Sequence, residues 1–114
     1  MLKDNLKTFL SFLMVVNIVN GNKSILIAQK NESRRPVWSR SGSMIAWTVL
    51  VGVKGEVWVM NSDGSDQRKL VDGLYPSWSP DSRTIIFSDF DASGSKIVLW
   101  RVGLDGSGLR QLTD

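Results

Sequence analysis

Asp89-Phe90-Asp91-Ala92-Ser93-Gly94 opens in the manner of a calcium loop, with oxygen-bearing side chains at the first, third and fifth positions and glycine at the sixth. The twelfth position of such a loop needs a bidentate carboxylate, and here it is Trp100. Without those two oxygens the coordination shell of a hard cation stays open, so the segment is read as a polar connection and no metal ligand is assigned. Asp63-Gly64-Ser65 and Asp105-Gly106-Ser107 also set a carboxylate beside a hydroxyl. They recur at a spacing of 42 residues, which points to repeated turns and not to one convergent site. The 114 residues include no His and no Cys. That excludes from this chain a Ser-His-Asp or Cys-His nucleophile, a cysteine-based zinc site and a disulfide framework. Gly-x-Ser-x-Gly, the nucleophile turn of α/β-hydrolases, is absent too. No catalytic or cofactor-binding residue is assigned, no cofactor is expected, and the chain is read as not an enzyme.

The remaining residues with chemical potential are aromatic. Trp38 and Trp78, Trp47 and Phe87, and Trp58 and Trp100 occupy matching places in two halves of the chain. Exposed, they would offer a stacking surface for sugars or bases. Repetition at one spacing favours packing between sheets, where each aromatic buries about 150–250 Å². Truncating Trp78 to Ala is then expected to cost about 3–5 kcal/mol. The charge pattern argues against nucleic acid. The net charge of +3 comes partly from an early cluster (Lys3, Lys7, Lys23, Lys30, Arg34, Arg35, Arg40), while the later residues mix both signs with no basic stripe. With 42% hydrophobic and 22% charged residues, a folded domain is expected and not a disordered chain.

The elements that position these residues come in two blocks. Residues 1–21 begin with Lys3 and Lys7 and continue into the apolar run Phe9-Leu10-Ser11-Phe12-Leu13-Met14-Val15-Val16. A basic start before a short apolar core is the pattern of a secretory signal peptide, with a cleavage region at Val19-Asn20-Gly21. The run falls short of the roughly 20 apolar residues that a spanning helix needs, so no stable membrane span is expected. The alternative for this segment is a hydrophobic helix or strand that packs on the domain. Residues 22–35 are read as an extra strand, Ile25-Leu26-Ile27-Ala28-Gln29, and a linker. Asn22-Lys23-Ser24 and Asn31-Glu32-Ser33 match the glycosylation tripeptide, a pattern common by chance.

The second block repeats itself. Pro36-Val37-Trp38-Ser39 returns as Pro76-Ser77-Trp78-Ser79 and Ile45-Ala46-Trp47 as Ile85-Ile86-Phe87, both 40 residues on. Val57-Trp58-Val59 then returns as Leu99-Trp100-Arg101 and Asp63-Gly64-Ser65 as Asp105-Gly106-Ser107, both 42 residues on. The two extra residues fall in the polar, glycine-bearing stretch before Leu99, where a loop accepts an insertion. Each unit reads as four short strands. In the second these are expected at 75–79, 84–87, 96–102 and 109–112, separated by Pro80-Asp81-Ser82, a polar loop and the hairpin Asp105-Gly106-Ser107-Gly108. Four strands in about 40 residues suit a β-propeller blade. The expected fold is therefore all-β, with four-stranded antiparallel blades at residues 36–73 and 74–114, two full blades of a partial propeller after an N-terminal hydrophobic segment. An eight-strand sandwich is the alternative.

Pro76 to Asp81, Leu109 to Asp114, and Val57 to Ser65 of the first unit resemble the TolB-like, WD40-like (PD40) propeller repeat, here in two repeats over residues 36–114. Arg40-Ser41 departs from the Pro-Asp of the turn, Ser82 stands where Gly is usual, and Val102-Gly103-Leu104 replaces Met-Asn-x. The resemblance implies a non-catalytic module for protein–protein interaction, with the protein partner unidentified and a periplasmic or secreted location. Such propellers also occur in prolyl-oligopeptidase-like serine peptidases, which makes a peptidase propeller, its catalytic domain absent here, the alternative. Rings need about 4–8 blades. Two are expected to belong to a larger propeller, to self-associate into one, or to stand as a marginal two-blade body.

Overall fold

Apolar alternation broken by serine, glycine and aspartate turns produces short strands connected as meanders. The computed structural model describes strands β1 (Phe12–Val16) and β2 (Lys23–Ala28) and the whole of residues 32–114. β3 (Glu32–Trp38), β4 (Met44–Val51), β5 (Lys54–Asn61) and β6 (Arg68–Asp72) form one antiparallel sheet in sequential order. β7 (Leu74–Trp78), β8 (Thr84–Phe90), β9 (Ile97–Gly103) and β10 (Arg110–Gln111) form a second. Each is the four-stranded blade expected from the repeat. No helix among the described residues is long and apolar enough to cross a membrane.

β1 pairs with β2 in a separate antiparallel hairpin. Of residues 1–21, read as a signal peptide, only this strand is described. The rest, with the cleavage region at 19–21 and the glycosylation residues Asn22 and Asn31, lies outside the described residues.

The blades differ from the expected elements at three places, each for a hydrogen-bonding reason. The first is β3, which begins at Glu32, inside the expected linker of residues 22–35, because Glu32, Ser33 and Arg34 pair with Leu50, Val49 and Thr48. β8 runs three residues past Phe87, because Ser88, Asp89 and Phe90 keep their partners Leu99, Val98 and Ile97. The two inserted residues sit beyond it, in the hairpin closed by the Asp91 N–H on the Lys96 carbonyl at 2.9 Å. β10 is only Arg110–Gln111. Leu112 N–H still donates to Leu99 O at 2.7 Å, and Thr113 Oγ1 accepts from Leu99 N–H at 2.9 Å, so a hydroxyl takes the place of the next rung. At the first turn of each unit, Gly42 (φ 74°) and Ser82 (φ 61°) occupy the same left-handed position. Serine therefore carries there a conformation that glycine adopts without steric cost.

Two layers of side chains build the core. β4 is buried on both faces from Ile45 to Val49. Ile45, Trp47 and Val49 face one way and join Met60, with Trp58 packed beside them. The Trp47 and Trp58 rings, directly opposite in register, lie 6.2 Å apart with a 36° tilt. Ala46, Val57 and Val59 face the other way and meet Ile85, Phe87 and Val102 of the second blade. Burial of apolar area contributes roughly 25 cal/mol per Å², so this shared layer is the main force joining the two sheets.

Candidate functional site

The first strands of the two blades, β3 and β7, lie side by side and share a distortion. Arg35 (φ 53°) and Tyr75 (φ 55°), 40 residues apart, both adopt the left-handed backbone conformation immediately before a proline. Each falls within an interruption of its ladder, between Arg34 and Val37 in β3 and between Leu74 and Ser77 in β7. For bulky residues this conformation costs about 1–3 kcal/mol and persists only where the surroundings hold it. Tyr75 is held by its N–H, which donates to Thr48 Oγ1 of the first blade at 2.9 Å. The outcome is an exposed phenol with the Arg35 guanidinium stacked 4.4 Å above its ring. At an exposed site such a stack contributes about 0.5–1 kcal/mol. A cation and an aromatic ring are thus presented together on a strained backbone at one edge of both blades.

Sequence reasoning did not single out this pair. Its one signal there is the following proline, which bars the right-handed helical region to the preceding residue. That does not distinguish extended backbone from left-handed.

The repeated aromatics divide. Trp47 and Phe87 are buried, and Trp58 and Trp100 are half-buried. Trp100 Nε1 donates to Phe90 O at 3.1 Å and Trp58 Nε1 to Glu56 Oε1 at 3.0 Å. Trp78 packs against the layer between the blades, its Nε1 donating to Val37 O at 3.0 Å. Trp38, its counterpart, is exposed. The same residue type therefore packs in one repeat and not in the other, because only the second blade has the first blade in front of it.

The aspartates of the polar segments are occupied by their own turns. Asp63 Oδ1 accepts from Ser65 N–H at 2.9 Å and its hydroxyl at 2.6 Å, and Asp105 Oδ1 does the same with Ser107. In the calcium-like segment Asp91 is bonded by Ser95 N–H at 2.9 Å, Ser93 Oγ at 2.8 Å and Ser95 Oγ at 3.0 Å. Asp89 is instead a rung of β8 opposite Val98, so the structure does not bring the two carboxylates into one chelating loop. The Ser95 N–H, followed by the Ser93 hydroxyl, holds the Asp91 carboxyl at about 2. The folded value lies below the ordinary one of about 3.9, so the stabilising contribution is complete above that pH and is lost as pH falls through the folded value. A carbon-detected NMR titration of Asp91 should give a midpoint of about 2. A midpoint at the ordinary value would mean the loop is not closed by these bonds.

No family model matches the chain. The Tol-Pal system protein TolB of Anaeromyxobacter dehalogenans is 46% identical over 107 residues, covering 89% of this chain and 24% of the relative. TolB of Nitratidesulfovibrio vulgaris is 39% identical over 51 residues, covering 41% of this chain and 12% of that protein. The chain thus spans about a quarter or less of the length of these curated relatives. Among solved structures, TolB from Acinetobacter baumannii superposes with a TM-score of 0.75 at 12% identity, covering 95% of this chain and 28% of that one. The β-propeller domain of the trilobed protease from Pyrococcus furiosus gives 0.71 at 17% identity, covering 89% and 33%. The fold is a TolB-like β-propeller fold.

Proposed function

We propose that the chain is a non-catalytic module of a larger TolB-like propeller that docks another protein through the strand edge carrying Arg35 and Tyr75. The observation that carries this reading is the strain itself. Two exposed, non-glycine residues hold the left-handed conformation at equivalent positions of both blades, and there the Arg35 guanidinium lies over the Tyr75 ring. The similarity to a Tol-Pal system protein supports a partner from such a system. The repeat is of the WD40-like (PD40) kind, in two copies. The basic and then apolar start supports export to the periplasm or beyond.

Titrating the purified chain with the other Tol-Pal components of its source organism, by calorimetry, tests the docking role. Arg35→Ala combined with Tyr75→Ala should weaken binding about tenfold, near 1.4 kcal/mol, with an unchanged circular dichroism spectrum. Undiminished affinity in that variant would move the docking surface elsewhere. Fusing residues 1–25 to a reporter tests export, and a wholly cytoplasmic reporter refutes it.

A second reading is the propeller of a serine peptidase, favoured by the superposition on the trilobed protease propeller. It requires a Gly-x-Ser-x-Gly turn and a histidine elsewhere in the protein. Labelling of the native gene product by a fluorophosphonate would decide for it.

A further inference from the structure

The second blade carries a pair of uncompensated cations on one face. Strand alternation turns Ile85, Phe87 and Val102 toward the first blade, and Ile86, Leu99 and Arg101 the other way. Arg110 stands directly opposite Arg101 in the ladder, so the two side chains rise from the same face. A cavity of about 550 Å³ opens there, lined among others by Thr84, Ile86, Arg101, Arg110 and Leu112. Sites for small molecules run to about 300–1,000 Å³.

The repeat shows that a blade does not need these charges. Arg101, Gly108 and Arg110 lie 42 residues after Val59, Asp66 and Arg68. In the first blade the single arginine is satisfied within the protein. Arg68 Nε pairs with Asp66 Oδ2 at 3.6 Å, and its Nη1 donates to Leu104 O at 2.9 Å. The second blade keeps that arginine, adds another in place of valine, and has glycine where the carboxylate stood.

Nothing on the face offsets the change. Like charges directly opposite each other are destabilising. Arg101 Nε is also buried without a hydrogen-bond partner. Among the described residues no carboxylate pairs with either arginine. Asp81 lies on the lining, but its Oδ1 is taken up by the Ser79 hydroxyl at 2.6 Å and the Arg83 N–H at 3.1 Å. An oxyanion seated between the two guanidinium groups turns the repulsion into charge-assisted bonds and supplies the missing acceptor. Beside it the walls are apolar. Ile86 and Leu112 line the cavity, and Leu99, on the same face, is 41% exposed.

We infer that this cavity binds a small carboxylate with an apolar tail. The two oxygens accept from Arg101 and Arg110, and the tail lies along Ile86, Leu112 and Leu99. This goes beyond the docking role proposed above and uses neither Arg35 nor Tyr75.

The test titrates sodium octanoate into the full chain at constant ionic strength, followed by the arginine Nε–Hε signals in nitrogen-15 NMR. The Arg101 and Arg110 signals should shift saturably. Acetate, the same head without the tail, should bind at least about tenfold more weakly. Arg101→Val, which writes in the residue of the first blade, should abolish the saturable shift of Arg110 and raise the melting temperature. Misfolding does not produce that combination. Gly108→Asp should weaken octanoate about tenfold by giving Arg110 the partner that Arg68 has. The backbone admits it, since Gly108 (φ 68°) and Asp66 (φ 55°) share the left-handed conformation and a Cβ on Gly108 meets no atom within 4 Å. No saturable shift with octanoate, or an unchanged affinity in Arg101→Val, overturns the proposal. Octylamine binding as tightly as octanoate also overturns it, because the face would then select the tail and not the anion.

Discussion

Gly73→Ala should lower the unfolding free energy by about 3–5 kcal/mol, the largest loss expected from adding one methyl group to this chain. Gly73 links the two blades at φ 148°, where an L side chain is strained. A Cβ there would run into the Phe87 ring, with Cε2 at 2.9 Å and the Ser88 carbonyl oxygen at 3.1 Å. Phe87 cannot retreat, because it is wedged with Ala46, Val57, Val59, Ile85 and Val102 in the layer between the blades. The backbone cannot shift freely either, since Gly73 N–H donates to Gly55 O at 3.0 Å. Gly55 is the other half of the approach, and a Cβ on it would overlap the Leu74 side chain and sit 2.6 Å from Gly73 O. Strain contributes about 1–3 kcal/mol and overpacking about as much again. Urea unfolding followed by tryptophan fluorescence measures the sum, and a loss below about 1 kcal/mol would show that the blades do not meet this closely.

The second large effect separates two residues that the repeat makes equivalent. Trp78→Ala should cost about 3 kcal/mol and Trp38→Ala below about 1 kcal/mol. Trp78 loses contact with the shared apolar layer and its indole bond to Val37 O at 3.0 Å. Full burial would place the loss at about 3–5 kcal/mol, and the half-buried ring puts it at the lower end. Trp38 is 38% exposed and stands outside the apolar layer between the blades that Trp78 packs against. Equal losses in parallel urea titrations would mean that the two tryptophans share one environment.

How far the sequence reaches is clear at these positions. The doubled Pro-x-Trp-Ser and Asp-Gly-Ser elements, at spacings of 40 and 42, carry the strand number, the meander order and the place of the insertion. Such features depend on residues close in the chain: turn chemistry, period-two alternation and β-branched runs. Strand ends were less legible. Ser88 and Asp89 are polar and read as loop, yet they pair because Leu99 and Val98 are held opposite them.

The sequence by itself determined that two like blades follow an apolar N-terminal segment, and that neither His nor Cys can act in this chain. Only the tertiary structure decided what each repeated residue does. Trp78 packs and Trp38 does not; Arg68 reaches Leu104 O across the junction, whereas its repeat partner Arg110 faces Arg101. Arg35 stacks on Tyr75 because both backbones turn left-handed at neighbouring strands. A repeat writes the same residues twice, but packing depends on what lies across the sheet, and in this chain the two sheets have different neighbours.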